Sequence, residues 1–255
     1  MDSDQSREVS HREPGFFTCF LDPDVKAFNK RMLELASEMG EEVEYQVDRF
    51  VESRRIPTTV FELMQAFRET YDRFVETVIA REGLNVYCKK GCSTCCIEMP
   101  TGVEPLEIME IYDRIREWPD FPSIFSGAVD AVRSFNEIVR RFGHMEAGVL
   151  RRYAALRRPC VFLDRDGGFC RIYDIRPLIC RAVFSLSPSF LCDPGHPDYD
   201  GPERKIEVIE PVDVINFKLL EINAEISKAL GVGFPETLLH GLLFWRQCRG
   251  KGSPA

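Results

Sequence analysis

Residues 88–96 read CKKGCSTCC, so four cysteines fall within nine positions, and the last two, Cys95 and Cys96, are adjacent. Core packing does not explain this stretch, because Lys89, Lys90, Gly91, Ser93 and Thr94 are interleaved with the thiols, whereas structural cysteines behave as small buried hydrophobes. Thiolates at such spacing converge on a soft metal centre. Gly91 lets the backbone curl around that centre, and N–H groups of such a loop donate to sulfur. Lys89 and Lys90 favour the thiolate form. Neighbouring side chains diverge, so Cys95 and Cys96 either grip different atoms of a multinuclear cluster or serve two sites.

A second group, Cys160, Cys170, Cys180 and Cys192, lies in turn-rich sequence, while Cys19 and Cys248 stand apart near the termini. The candidate ligands are therefore Cys88, Cys92, Cys95, Cys96, Cys160, Cys170, Cys180 and Cys192. Zinc usually takes four ligands in a closed tetrahedron, often from two closely spaced cysteine pairs. Cys88/Cys92 or Cys92/Cys95 supply one pair, but the second group is spaced 10, 10 and 12 residues apart and supplies none. Iron–sulfur clusters accept scattered thiolates, and a [4Fe–4S] cluster on four of them carries a net charge of about −2 that nearby guanidiniums offset. Arg171, Arg176 and Arg181 accompany the second group. The spacing thus favours an iron–sulfur cluster, most readily 4Fe–4S, over zinc. Arg176, Arg181, Lys90 and Asp174 are the expected supporting residues. His196 follows Cys192 at a ligand-like distance, but between Pro194 and Pro197 it reads first as a turn residue.

CKKGCSTCC, followed by PCVFLDRDGGFCRIYDIRPLICR (159–181), resembles the bacterial CxxCxxCC cysteine-cluster family, described as zinc- or iron-chelating proteins (the YkgJ type). The resemblance covers about Cys88 to Cys192. It departs from the family pattern in placing three residues between Cys88 and Cys92. It implies metal binding, with Cys92, Cys95, Cys96, Cys170 and Cys180 as the indispensable thiols. Some relatives resemble flagellin lysine N-methylases that carry an iron–sulfur cluster. That resemblance implies a protein-modifying enzyme as an alternative, and a zinc-stabilised interaction module without catalysis is another. The chain has no G-x-x-x-x-G-K-[ST] and no G-x-S-x-G, and its GVG at 231–233 lies between helices, where it reads as a helix stop.

The elements that must position these thiols read as mainly α: a helical domain wrapped around a compact cysteine-rich metal-binding core with a short β-hairpin. Asp22 and Pro23 open a helix carrying Leu33, Leu35 and Met39. Between Thr58 and Arg81, Val60, Met64, Phe67, Tyr71, Phe74 and Val78 recur at steps of four and three, a helical stripe. Further helices are expected at Pro105–Trp118, Pro122–Phe142, Glu146–Leu156, Pro211–Leu230 and Pro235–Cys248. The stripe of Pro122–Phe142 comprises Phe125, Ala128, Val132, Phe135, Val139 and Phe142. VFL and FCRIY, separated by DRDGG, read as a hairpin whose turn is Gly167–Gly168, and KIEVIE (205–210) as a short strand. The expected organisation is an N-terminal arm (1–22), a helical segment (23–83), a cysteine-cluster domain (84–200) with a helical insertion (105–158), C-terminal helices (201–248) and a tail (249–255). The helices of the insertion permit an out-and-back excursion. The two cysteine groups are therefore expected to meet at one site, with most of the sulfurs within about 10 Å of a shared centre.

Composition agrees with this frame. The chain has 255 residues, 44% hydrophobic and 29% charged, with net charge −8. It is long enough to bury a core without staples, and its charge argues against a duplex nucleic-acid partner. Six arginines between Arg140 and Arg158 read as the wet face of helices. No window approaches 18 apolar residues, so no membrane span is expected. The opening residues show neither a signal-peptide core nor a transit pattern, which points to the cytoplasm, where thiols stay reduced. The protein or redox partner is left unspecified.

Overall fold

The computed structural model describes residues 18–89, 91–143, 147–164, 166–235 and 237–250. Lys90 and most of the expected arm and tail therefore lie outside the described residues.

The first layer is a helix pair. Helix α1 (Pro23–Tyr45) starts as its sequence dictates: the Asp22 carboxylate accepts the Asp24 N–H and Pro23 occupies the first turn. Its inner face buries Val25, Met32, Leu35, Met39 and Val43. Helix α2 (Val47–Ser53) is a short connector. Helix α3 (Thr58–Glu82) buries all six residues of its predicted stripe against α1. Arg81 near the end of α3 pairs with Asp22 and Asp24 at the start of α1, so the two run antiparallel. Gly83 stops α3 in the left-handed region, with φ +61°.

Helix α4 (Pro105–Ile115) is central. It opens with a capping box in which the Glu104 and Glu107 side chains each accept the other's backbone N–H. Leu106, Ile108, Met109, Ile111, Tyr112 and Ile115 are all buried. Arg68 of α3 reaches Glu110 of α4 through two bonds of 2.6 and 2.7 Å, a buried fork that fixes how the two helices face each other. Helices α5 (Phe121–Phe142) and α6 (Ala147–Ala154) lie between the two cysteine groups and pack on each other. The buried face of α5 is Ile124, Ala128, Ala131, Val132 and Phe135, while Phe142 is exposed beneath the guanidiniums of Arg141 and Arg152. The six arginines between 140 and 158 are all exposed. Helices α8 (Asp213–Leu230) and α9 (Leu238–Gly250) close the core on α1, α4 and α5. Among the described residues, no helix is long and apolar enough to cross a membrane.

The architecture is mainly α with one short hairpin, and the hairpin is not where the sequence placed it. Val161–Tyr173 holds a single bridge, Leu163 to Cys170, around a turn in which the Asp164 carboxylate accepts the Gly167 N–H. Beside that bridge, the Asp164 N–H donates to the Phe169 carbonyl and the Arg171 N–H to the Phe162 carbonyl, so the two arms do pair, over a single bridge. The paired strands are β1 (Val183–Ser185) and β2 (Ile206–Val208), antiparallel with Ser185 opposite Ile206. The strand expected at 205–210 is thus present, and its partner is VFS rather than VFL.

Candidate metal centre

After Gly83 the chain leaves α3 in extended form and is caught by β1. The Tyr87 N–H donates to the Ser185 carbonyl at 2.9 Å, and the Ser185 N–H donates to Cys88 Sγ at 3.2 Å. A turn follows, with Cys92 N–H on the Lys89 carbonyl and Gly91 at φ +92°, a conformation that suits glycine. Thr94–Ile97 then winds into one 3-10 turn carrying Cys95 and Cys96.

The second block returns to this turn. Although 63 residues separate Cys96 from Cys160, the Cys160 N–H donates to the Cys96 carbonyl at 2.6 Å. Cys170 ends the bridged turn, and Cys180 sits in helix α7 (Leu178–Ala182). Between them, Arg181 acts as a clamp. It is 3% exposed; its Nε donates to the Arg176 carbonyl, its Nη2 to the carbonyls of Tyr173 and Asp174, and its Nη1 to Asp72 of α3 at 2.6 Å. One guanidinium therefore shapes the turn between two candidate ligands and ties it to the core. Asp174 enters through its main-chain oxygen rather than its carboxylate. The Arg176 guanidinium lies 4.1 Å over the Tyr173 ring, and its Nε is buried without a hydrogen-bond partner.

Electrostatics links the two blocks. Burial pushes the Cys160 thiol up to about 11, and the charges of Cys170 and Cys95 push in the same direction. Cys180 is raised by crowding from surrounding protein, then by Cys160, Cys95 and Glu107, with Arg176 opposing. Cys170 is raised by burial, with Cys95 adding to the shift and Arg176 and Arg181 opposing it. Cys95 is raised first by its hydrogen bond with the Cys96 side chain, then by burial and the charges of Cys96 and Glu98. Cys88 is raised by burial and by Cys92, Cys95 and Cys192, while the Ser185 N–H lowers it. Cys192 Sγ donates to Ser185 Oγ at 3.4 Å. Among these thiols, Cys88 and Cys192 share the contact with Ser185, and Cys95 bonds the Cys96 side chain.

Cys19 and Cys248 belong elsewhere. The Cys19 thiol is raised to about 11 by burial and then by Glu82, whose carboxylate also accepts its N–H, and Cys248 packs on the helical core. His196 is held as a turn residue, its Nδ1 accepting the Asp198 N–H at 3.2 Å. Sequence reasoning missed Ser185, which touches both Cys88 and Cys192. It also missed Glu107, the buried carboxyl that accepts the Leu178 N–H at 2.7 Å and so seats the start of α7. Neither carries a signal in sequence; a serine in a strand and a glutamate in a helix are ordinary.

All ten cysteines are free thiols. Among the described residues, no three Cys, His, Asp or Glu side chains stand, as oriented, close enough together to hold a metal ion. The donor set nonetheless fits a thiolate-bound metal in kind. Soft thiols are its ligands of choice, and Arg176, between Cys170 and Cys180 in sequence, has its Nε buried without a hydrogen-bond partner.

These features describe a cysteine-rich segment mounted on a helical body. Residues 87–191 match the family model CxxCxxCC, described as a "putative zinc- or iron-chelating domain". The match includes seven of the eight candidate thiols and stops one residue short of Cys192. No curated protein and no solved structure matches the chain.

Proposed function

We propose that this chain is a cytoplasmic iron–sulfur protein whose two cysteine blocks hold a cluster, most readily 4Fe–4S, for electron transfer or redox sensing. The observation that carries the reading is the return of the second cysteine block to the first, where the Cys160 N–H donates to the Cys96 carbonyl at 2.6 Å, with the buried Arg181 guanidinium ordering the turn before Cys180. Scattered thiolates with adjacent cations suit an anionic cluster better than a tetrahedral zinc site drawn from two short pairs. When bound, the cluster supplies one-electron redox chemistry. The chain's own residues hold and insulate it. The thiols would serve as ligands, Arg176 Nε would donate toward their negative charge, and Phe162 and Ile172, both buried, would keep water from the inner side. Cys95 and Cys180, both exposed, leave the outer side open to a partner.

Anaerobic purification tests the reading. Broad absorption near about 400 nm, with iron and acid-labile sulfide that fall sharply in Cys170→Ser and Cys180→Ser but not in Cys19→Ser, is the expected result. A colourless protein carrying stoichiometric zinc would replace the iron–sulfur reading with a structural zinc module.

A further inference from the structure

We propose that the cavity between α6 and the loop after Cys192 is a binding site for a small zwitterion of the α-amino-acid class. The proposal stands apart from the metal-binding reading and uses none of the cysteines.

The cavity holds about 460 Å³, within the roughly 300–1,000 Å³ of small-molecule sites. Three segments wall it. Glu98 follows the 3-10 turn of Cys95 and Cys96, with its N–H on the Cys95 carbonyl at 3.0 Å; Leu150 and Arg151 come from α6; Tyr199, Asp200 and Arg204 come from the loop. Consecutive turns wind the loop, in which the N–H groups of His196, Tyr199, Gly201 and Arg204 donate to the carbonyls of Asp193, His196, Asp198 and Gly201. Two ion pairs fasten it to α6 and the residues just beyond: Arg151 with Asp200, and Arg157 with Asp193 at 2.6 Å. The walls are thus set before a ligand arrives, which lowers the ordering cost of binding.

Arg204 is the residue that asks for a ligand. Its guanidinium lies 3.8 Å over the ring of the buried Tyr199, and its side chain is only 20% exposed. Its carboxylate neighbours, Glu98 and Asp200, nevertheless stand 4.0 and 3.9 Å away, beyond hydrogen-bond length, and its Nε is buried without a partner. A stacked guanidinium that bonds no carboxylate is oriented to receive a planar anion. Beside it, Glu98 accepts the Tyr199 hydroxyl on Oε1 at 3.3 Å, which leaves Oε2 open to a donor.

The balance of charge selects the ligand class. The cavity carries two arginines and two carboxylates. A ligand with only negative charge meets Glu98 and Asp200, and one with only positive charge meets Arg151 and Arg204, so each is opposed by like charge. A carboxylate and an ammonium a few bonds apart satisfy both sides, the first on Arg204 and the second on Glu98, with Leu150 offering apolar contact to the rest of the molecule.

Calorimetric titration of the anaerobically purified full chain with the standard L-α-amino acids, one at a time, tests this. At least one should bind with a Kd below about 1 mM. Its N-acetyl derivative, which has no ammonium, and its carboxamide, which has no carboxylate, should each bind about tenfold or more weakly, the size of one lost charge-assisted hydrogen bond. Glu98→Gln and Arg204→Met should each weaken the parent amino acid by about tenfold to a hundredfold, with helical circular dichroism retained. Glu98→Gln should also erase most of the preference over the N-acetyl derivative, and Arg204→Met most of the preference over the carboxamide, because each variant removes the partner of the missing group. No binding by any amino acid, a derivative that binds as tightly as its parent, or an unchanged affinity in Glu98→Gln would overturn the proposal. If Arg204→Met loses its helices, Glu98→Gln decides alone, since that side chain is 42% exposed and the substitution keeps its shape.

Discussion

Replacing Arg181 by methionine should unfasten the second cysteine block from the helical core. Methionine approximates the volume of the arginine stem but offers no donor, so the carbonyls of Tyr173, Asp174 and Arg176 lose their shared partner. Asp72 loses its partner too, but at 46% side-chain exposure water can replace the guanidinium there. The loss is therefore dominated by three donor bonds to main-chain oxygens, at about 1 kcal/mol net each, or about 3 kcal/mol in all. Lysine keeps a charge near Asp72 but has a single ammonium where the fork bonded in four directions, and it should recover about half of that loss. Two measurements check this. Urea unfolding followed by circular dichroism gives the stability difference, and metal content after anaerobic purification reports whether Cys170 and Cys180 still face one site. The expected pattern is wild type above Arg181→Lys above Arg181→Met in both. A methionine variant within about 0.5 kcal/mol of the wild type, the ordinary scatter of surface substitutions, and with full metal content, would refute the clamp.

Three further outcomes follow from the core. Glu110→Ala leaves the Arg68 guanidinium buried without its partner, and unfolding should show a loss of about 3–5 kcal/mol, whereas the double variant Arg68→Met/Glu110→Leu should recover much of it. Glu107 is a buried carboxyl that burial raises to about 7, against the opposing pull of the Leu178 and Glu104 N–H groups. Its native value lies above its unfolded one, so its stability contribution is complete below about pH 4.5 and is lost as pH rises through about 7, amounting to about 3 kcal/mol. Glu107→Gln should therefore gain on the wild type between pH 5 and pH 8 in parallel urea titrations, and a pH-independent difference would contradict the raised value. Stripping metal should leave the helical circular dichroism almost unchanged, because the continuous apolar core runs through the long helices and does not depend on the thiols; collapse of the helices on chelation would show instead that the metal holds the fold.

Much of the helical body was legible because its signals are local. The stripe from Val60 to Val78 and the Asp22–Pro23 start depend on residues within a turn or two of one another, and both appear as read. The stripe of α5 was read one position off at Phe125, since Ile124 is the buried residue there, and Phe142 falls on the solvent side. At the first place an aromatic residue at the right period outweighed the smaller aliphatic that the core accepts. The expected hairpin pairs only over the Leu163–Cys170 bridge, for a different reason. A Gly-Gly turn flanked by apolar residues is a local signal, but whether its arms extend depends on what else they can pair with. The partner of VFS lies 20 residues away, beyond any turn signal. The thiols were legible by type and spacing, yet what aims them is non-local. Ser185, the Cys160–Cys96 contact and the reach of Arg181 to Asp72 each join residues that sequence gives no reason to pair.

Those same contacts bear on how the site can work. Each cysteine-bearing segment is fastened to an element that stands without it: the first block to β1 through Tyr87 and Ser185, the turn between Cys170 and Cys180 to α3 through Arg181 and Asp72, and α7 to α4 through Glu107. In small zinc domains the metal supplies the folding energy, so losing the metal means losing the structure. Here the cysteine-bearing segments are held by hydrogen bonds and helix packing, so under the proposed reading a bound metal would change only local features, such as the orientation of Cys95 against Cys96 and the use of Arg176 Nε. A site of that kind can gain, lose or exchange its metal while the body keeps its shape. Because Cys95 and Cys180 are exposed, the proposed change would fall at the surface.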